Sequence, residues 1–279
     1  MKDQDILAFA ISLAKGAAKI ILGSSREIAV IKKGRGNFAT KADLASEQFL
    51  IKKISRKFPG HDILSEETKK KMNNPESRAH LWILDPLDGT SNFFYGIPFF
   101  CISVAYAEYG KVVCGVVYDP LRRELFSARS GRGAFLDRRP LKIARKKNFS
   151  GTVANVGCPY DKSDFEKSNE NASILYRRGA KIRNFGSSVL ETVYVAAGRF
   201  NFYCEWGPKP WDAAASKLIV EEAGGTVELI EGESIFDFKG IMAGPKNLVR
   251  LGKSWLKLGR QGGGIQNNYA KIALRGEIT

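Results

Sequence analysis

The sequence predicts an α+β protein built as two halves that meet near residues 145 to 150, and three observations carry that expectation. Residues 4–22 and about 40–58 read as helices, residues 81 to 143 as closely spaced strands, and residues beyond about 147 as strands alternating with helices. The halves are expected at 1–147, an α+β unit, and 148–279, an α/β unit. With 279 residues and 44% hydrophobic composition the chain is long enough to bury a core of this size.

The first helix is expected because Ile6, Leu7, Ala10, Leu13, Ala14, Ala17, Ile20 and Ile21 recur at helical spacing. A Gly-rich basic loop, KKGRGNFA, follows. A second helix runs from about residue 40 to 58 and is stopped by Pro59-Gly60. Thr40 and Asp43 have the spacing of a capping box, which by itself makes Asp43 a helix-start residue.

LWILD, CISVAYAEY, KVVCGVVYD, RELFSARS and AFLDRRPLKI then read as strands, separated by turns at Tyr109-Gly110, Asp119-Pro120 and Gly131-Arg132-Gly133. Such short connections predict antiparallel neighbours. The second half reads as GTVANVG, a helix near 164–178, KIRNFG, a helix from 187 to about 197, FNFYCEW, a helix at 211–223, TVELI and IMAGP. A last segment begins helically at Lys253 and turns Gly-rich.

Composition narrows the chemistry. The four cysteines have no CxxC or zinc-type spacing, so they read as reduced thiols of a cytoplasmic protein. The start, MKDQD, is charged, and uninterrupted apolar runs such as 8–11 fall far short of the roughly 20 residues of a membrane span, so a soluble chain without a membrane partner is expected. Lysine and arginine outnumber acids 44 to 29, a formal charge of +15 that attracts anionic partners, whether phosphorylated metabolites, nucleotides or RNA. The basic residues are spread along the chain rather than gathered with aromatics. His61 and His80 are the only histidines, and each reads as structural, so Ser-His hydrolases and two-histidine metal motifs are disfavoured. Catalysis would have to run on carboxylates.

In LWILDPLDGTSNF, Pro86 has no N–H for a sheet ladder, so the strand is expected to end at Asp85 and turn sharply, with Asp85, Asp88 and the Leu87 carbonyl converging. Two aspartates about 4 Å apart repel by roughly 4 kcal/mol at an effective dielectric near 20. A hard divalent cation such as Mg²⁺ offsets this while keeping waters that a phosphate replaces. Asp-Pro and Asp-Gly are also ordinary turn pairs. ILSEET repeats the pattern of strand followed by acid at Glu66-Glu67, and KPWDAAASKLIVEEAGG opens a helix with Asp212, which also fits a helix-dipole role. Acids at three element ends suggest one shared site.

DPLDGTSNF (85–93), SEET (65–68) and WDAAASKLIVEEAGG (211–225) resemble, in order and separation, the three signatures of the inositol monophosphatase family of Mg²⁺-dependent, lithium-sensitive phosphatases. The resemblance runs from roughly residue 6 to 245 and implies a layered αβαβα sandwich. It implies two to three Mg²⁺ ions: one on Glu66, Asp85 and the Leu87 carbonyl, one on Asp85, Asp88 and Asp212, and a weaker third using Glu66. It further implies that Asp43 and Thr90 orient and deprotonate the attacking water, and that the Gly89 and Thr90 amides receive the phosphate. Glu205 and Asp212 would contact substrate hydroxyls, with Gly186, Ser187 and Ser188 forming a substrate-facing loop. A homodimer, formed through the region near 95–120, is implied as well.

Two positions depart from the family pattern. Ser187-Ser188 stands where many inositol-selective members have threonine and alanine, and Asn37 stands where an acid is frequent, although Lys32 or Lys33 keeps the basic character of that loop. Relatives with the same cage act on fructose bisphosphate, phosphoadenosine phosphate or histidinol phosphate, and some bacterial relatives are linked to transcription and ribosome assembly, which leaves an RNA or protein partner open.

Overall fold

The computed structural model of the chain describes residues 3–24, 31–32, 38–68 and 72–256. The loop positions Lys33 and Asn37, the side chain of Lys32 and the Gly-rich tail beyond residue 256 lie outside that description.

Helix α1 (Asp3–Gly23) packs on α2 (Lys41–Lys57), and the short pair β1 (Ile31–Lys32) and β2 (Phe38–Ala39) lies between them in sequence. A seven-stranded sheet follows: β3 (Asp62–Ser65), β4 (Leu81–Asp88), β5 (Cys101–Glu108), β6 (Lys111–Asp119), β7 (Glu124–Arg129), β8 (Ala134–Leu136) and β9 (Arg139–Pro140), ordered as in the chain. Only β3 and β4 pair in parallel; the rest form an antiparallel meander, as the short turns require. The short α3 (Thr90–Tyr95) follows β4. The second sheet has the order β11 (Lys181–Arg183), β10 (Val153–Val156), β12 (Phe202–Trp206), β14 (Gly240–Gly244) and β13 (Thr226–Ile230). Helices α4 (Lys162–Arg177), α5 (Ser188–Ala196), α6 (Pro210–Glu222) and α7 (Lys246–Trp255) complete the chain.

These elements stack as five layers. Alternation along β4 sends Trp82 and Leu84 into the core under α1 and α2, and Leu81 and Ile83 into the core beneath α5 and α6. Helices α5 and α6 lie between the two sheets, and α4 and α7 cover the outer face of the second sheet over Val156, Phe202, Cys204 and Met242. The result is the αβαβα sandwich.

Three elements differ from the sequence expectation. The strand does not stop at Asp85 but continues to Asp88 through a bulge, because Pro86 and Leu87 together face only Ile102 and Pro86 therefore needs no ladder hydrogen bond. The run 134–143 is two strands, β8 and β9, folded about Asp137 and Arg138, both at positive φ. Helix α7 begins at Lys246, directly after Pro245, rather than at Lys253.

Helix α1 is long and apolar enough by composition to cross a membrane from Ile6 to Gly23, which a search for unbroken apolar runs overlooks because Lys15 and Lys19 interrupt it. Its stripe Ala10, Leu13, Ala14, Ala17 and Ile21 is instead buried against α2 and the sheet. His61 and His80 stack with ring centroids 4.4 Å apart in a cluster with Trp82 and Tyr106, away from the cleft described below.

Candidate active site

The bulge in β4 is what makes a cage possible. In a regular strand, residues three apart point to opposite faces, but one extra residue restores them to the same face. Asp85 and Asp88 therefore both face the middle layer, where Asp212 stands in the first turn of α6. Oxygen atoms of the three carboxylates lie within 4.8 Å of one another. Ser46 on α2 steadies the bulge by donating its hydroxyl to the Pro86 carbonyl at 2.9 Å.

These acids line a cleft of about 800 Å³, together with Glu66, Leu87, Gly89 and Thr90. Gly186, Ser187, Ser188 and Glu205 line the same cleft, with Ser187 in hydrogen-bond contact with Asp88. Every residue the sequence assigned to the site thus borders the cleft except Asp43, which is buried behind Thr90.

Asp43 does two things at once. Its Oδ2 accepts the Thr40 N–H at 2.8 Å, completing the helix cap, and its Oδ1 accepts the Thr90 hydroxyl at 2.8 Å. One carboxylate thus caps α2 and also holds the Thr90 hydroxyl. Thr90 Oγ1 also lies 3.1 Å from the Leu87 carbonyl.

Asp88 is clamped mainly by the start of α5, with β5 adding a thiol. Its Oδ2 accepts the Ser187 hydroxyl, the Val189 N–H at 3.1 Å and the Cys101 thiol at 3.6 Å. Ser188 and Tyr203 each donate a hydroxyl to Glu205 Oε2 at 2.6 Å. Gly157 is required beside it, since a Cβ there would lie 2.4 Å from Glu205 Cγ. Gly89 adopts φ +88, which opens α3 against the Phe99 carbonyl and Phe100.

Several supports were missed by the sequence reading. Glu47 on α2 accepts the Glu67 and Thr68 N–H groups at 3.1 and 2.9 Å and so holds the turn that carries Glu66. Asn92 donates to the Phe99 and Phe185 carbonyls at 2.7 and 2.6 Å, tying α3 to the loop before α5. Glu191, buried on α5, accepts the Phe185 N–H and the Asn155 amide. One signal was available: Asp43, Ser46 and Glu47 share the helix face of Leu50 and Ile54, and polar residues at apolar-stripe positions mark a buried polar site.

Burial raises the carboxyl pKa of Asp85 well above its usual range, with Glu66, Asp88 and Asp212 adding their charges. Burial likewise raises Asp212, reinforced by Glu66, Glu205 and Asp88. It lifts Asp88 to about 7, against the hydrogen bond from Ser187. The fold thus sets negative charge beside negative charge out of water, the environment a divalent cation with oxygen ligands relieves. A folded carboxyl pKa above the unfolded value, about 4, means the folded metal-free chain binds more protons, so this contribution to stability is lost as pH rises toward about 7. In chelator, the melting temperature of Asp88→Asn is expected to gain on wild type across that window, and magnesium is expected to erase the gain. Thermal melts that show a pH-independent difference would contradict the repulsion.

The inositol monophosphatase family model matches residues 2–260. A Nus factor SuhB from Xylella fastidiosa is 37% identical over 82% of this chain and 81% of its own. An inositol-1-monophosphatase from Mesorhizobium japonicum is 35% identical over 82% of this chain and 86% of its own. The crystal structure of extragenic suppressor protein suhB from Bartonella henselae superposes with a TM-score of 0.81 at 33% identity, over 88% of this chain and 96% of that one.

Proposed function

The chain belongs to the inositol monophosphatase family, and from that premise we propose that it is a magnesium-dependent phosphomonoesterase that hydrolyses inositol monophosphate or a similar small polyol phosphate. The observation that carries the proposal is the meeting of Asp85, Asp88 and Asp212 within 4.8 Å in the lining of a cleft.

Asp85, Asp88 and Asp212 would hold one ion, Asp85, Glu66 and the Leu87 carbonyl a second, and Glu66 a weaker third. Bound magnesium supplies positive charge to the phosphoryl oxygens and a water acidified toward neutrality. The chain's own residues do the rest. The Thr90 hydroxyl gives its hydrogen to Asp43 at 2.8 Å, so its lone pairs accept from the attacking water and Asp43 stabilises the charge that develops. The Gly89 and Thr90 amides at the opening of α3 receive the phosphoryl group. Glu205, oriented by Ser188 and Tyr203, accepts a substrate hydroxyl. Water oxygen bonds to phosphorus as the ester oxygen departs in line; the proton lost by the water passes through Thr90 to Asp43, the departing alkoxide takes a proton from solvent water, and no covalent phosphoenzyme forms.

The charge of the cleft supports a polyol over a second phosphate. Beyond the metal-site acids its walls carry Glu191, Glu205, Asp161 and Asp164, and among the described lining residues Lys209 is the single lysine or arginine. With saturating magnesium, kcat/KM for inositol 1-phosphate is expected to exceed that for fructose 1,6-bisphosphate or phosphoadenosine phosphate by at least about tenfold, the roughly 1.4 kcal/mol at the upper end of one net hydrogen bond. The reverse order would overturn the polyol reading, and turnover of every ester unchanged in chelator would overturn the phosphatase mechanism.

Lithium sensitivity, a cytoplasmic setting and a homodimer belong to the same proposal. Strands β5 and β6 are interior to the sheet, so within 95–120 the exposed apolar side chains are Tyr95, Ile97 and Tyr109, and a dimer would have to use these flanking loops. A second role is favoured by one relative's name, Nus factor, and by the charge of +15. In that reading the chain also binds an RNA or protein partner of the transcription machinery.

A further inference from the structure

We propose that the β11 edge of the five-stranded sheet, with the segment that leads into β10, is a docking strip for the phosphate backbone of single-stranded RNA. The proposal rests on the second role above and gives it a surface and a ligand chemistry.

Basic clusters that are dispersed in sequence are brought together by the fold. Residues 138–160 contain six lysines and arginines and no acid, and residues 171–190 contain four and no acid. Parallel pairing sets Val153 beside Lys181. The Gly151 N–H donates to the Gly179 carbonyl at 3.0 Å, and the Lys181 N–H donates to the Thr152 carbonyl at 2.7 Å. Residues 151–155 therefore run beside 179–183, Lys147 lies within about 11 Å of Ser150, which packs on Gly179, and Arg139, in β9 of the other sheet, is not part of the strip. Arg145, Lys147, Arg177, Arg178, Lys181 and Arg183 are all exposed.

Simpler explanations cover only part of this. Charged side chains on an edge strand block sheet-to-sheet pairing, which accounts for Lys181 and Arg183. Arg177 and Arg178 suit the C-terminus of α4. Neither explanation needs the run at 145–147 or the absence of every acid over both segments. Crowded like charge is self-repulsive, and a polyanion relieves it.

Nucleic acid fits better than an acidic protein for two reasons. Tyr176, 71% exposed, stands directly before Arg177-Arg178 and offers a base a face to stack on. Lys181 and Arg183 are two apart in a strand, so they project on one side about 6.6 Å apart, an extended row suited to successive phosphates. Asn184 and Gly186, just beyond β11, and Gly157, just beyond β10, line the cleft, whereas none of the strip's basic residues does.

The test is fluorescence anisotropy of a labelled mixed-sequence 20-nucleotide single-stranded RNA titrated with the full chain at several salt concentrations. Lys147→Glu, Arg177→Glu and Lys181→Glu together are expected to weaken binding at least tenfold and to flatten the salt slope by about 2, at roughly 0.7 per phosphate contact. Phosphatase turnover is expected to stay at the wild-type rate, which also reports a folded variant. Reversing the exposed Lys19, Lys52 and Lys111 changes net charge equally and is expected to weaken binding far less. Wild-type binding that survives the strip reversal overturns the strip and leaves the second role standing. Equal losses from both triple variants overturn it as mere net charge, and competition by polyglutamate as strong as by unlabelled RNA overturns it in favour of an acidic protein. Absence of any wild-type RNA binding removes the RNA form of the second role itself.

Discussion

Asp85→Asn is expected to lower kcat by at least about a thousandfold while the chain folds and melts no lower than wild type in chelator. Asp85 is 1% exposed and is the carboxylate shared by both proposed principal ions, so its charge has the largest leverage on them. Loss of about 4 kcal/mol of charge stabilisation, within the several kcal/mol a metal centre supplies, corresponds to that factor. The fold should tolerate the change, because asparagine keeps an oxygen to accept the Leu87 N–H now bound at 3.0 Å and removes a charge that Glu66, Asp88 and Asp212 repel. Steady-state turnover of inositol 1-phosphate at saturating magnesium, paired with a thermal melt, checks both halves. Activity within tenfold of wild type, or a variant that fails to fold, would mean that Asp85 is a structural residue.

Asp43→Asn is expected to cost about a hundredfold to ten-thousandfold in kcat, the range of general acid–base catalysis, with KM and the magnesium requirement nearly unchanged. The carboxylate uses one oxygen for the Thr40 N–H and the other for the Thr90 hydroxyl, both at 2.8 Å. An asparagine has a single acceptor oxygen, so either the helix cap or the Thr90 bond must go. The two substitutions are told apart by the magnesium titration: Asp85→Asn shifts the concentration needed for half-maximal rate, whereas Asp43→Asn leaves it in place. A shift with Asp43→Asn would assign that residue to the metal instead.

Much of this arrangement was legible in the chain, and the reasons the rest was not are physical. The helical stripe of α1, the meander from β4 to β7 and the capping box at Thr40 are local patterns, written within a few residues. The αβαβα order and the roles drawn from DPLDGTSNF and WDAAA came from resemblance, since no local rule says that residues 85 and 212 meet. Local reasoning misjudged Pro86: it ended the strand on paper, whereas a bulge carries the strand through and is what turns Asp88 to the side of Asp85. Contacts made across long stretches of chain were invisible, among them Glu47 to Thr68, Asn92 to Phe185 and Ser187 to Asp88. The α7 helix was readable from Leu248, Val249 and Gly252 but is only ten residues long and follows a proline, so its start was placed too late.

Catalysis by this cleft requires that these acids gather cations. Crystals soaked in manganese and measured for anomalous scattering are the most direct test. Strong anomalous peaks bounded by Asp85, Asp88 and Asp212, with a neighbour at Glu66 and the Leu87 carbonyl, are the predicted result. An occupied lattice of ordered protein with no peak there, or with the carboxylates turned apart, would contradict it.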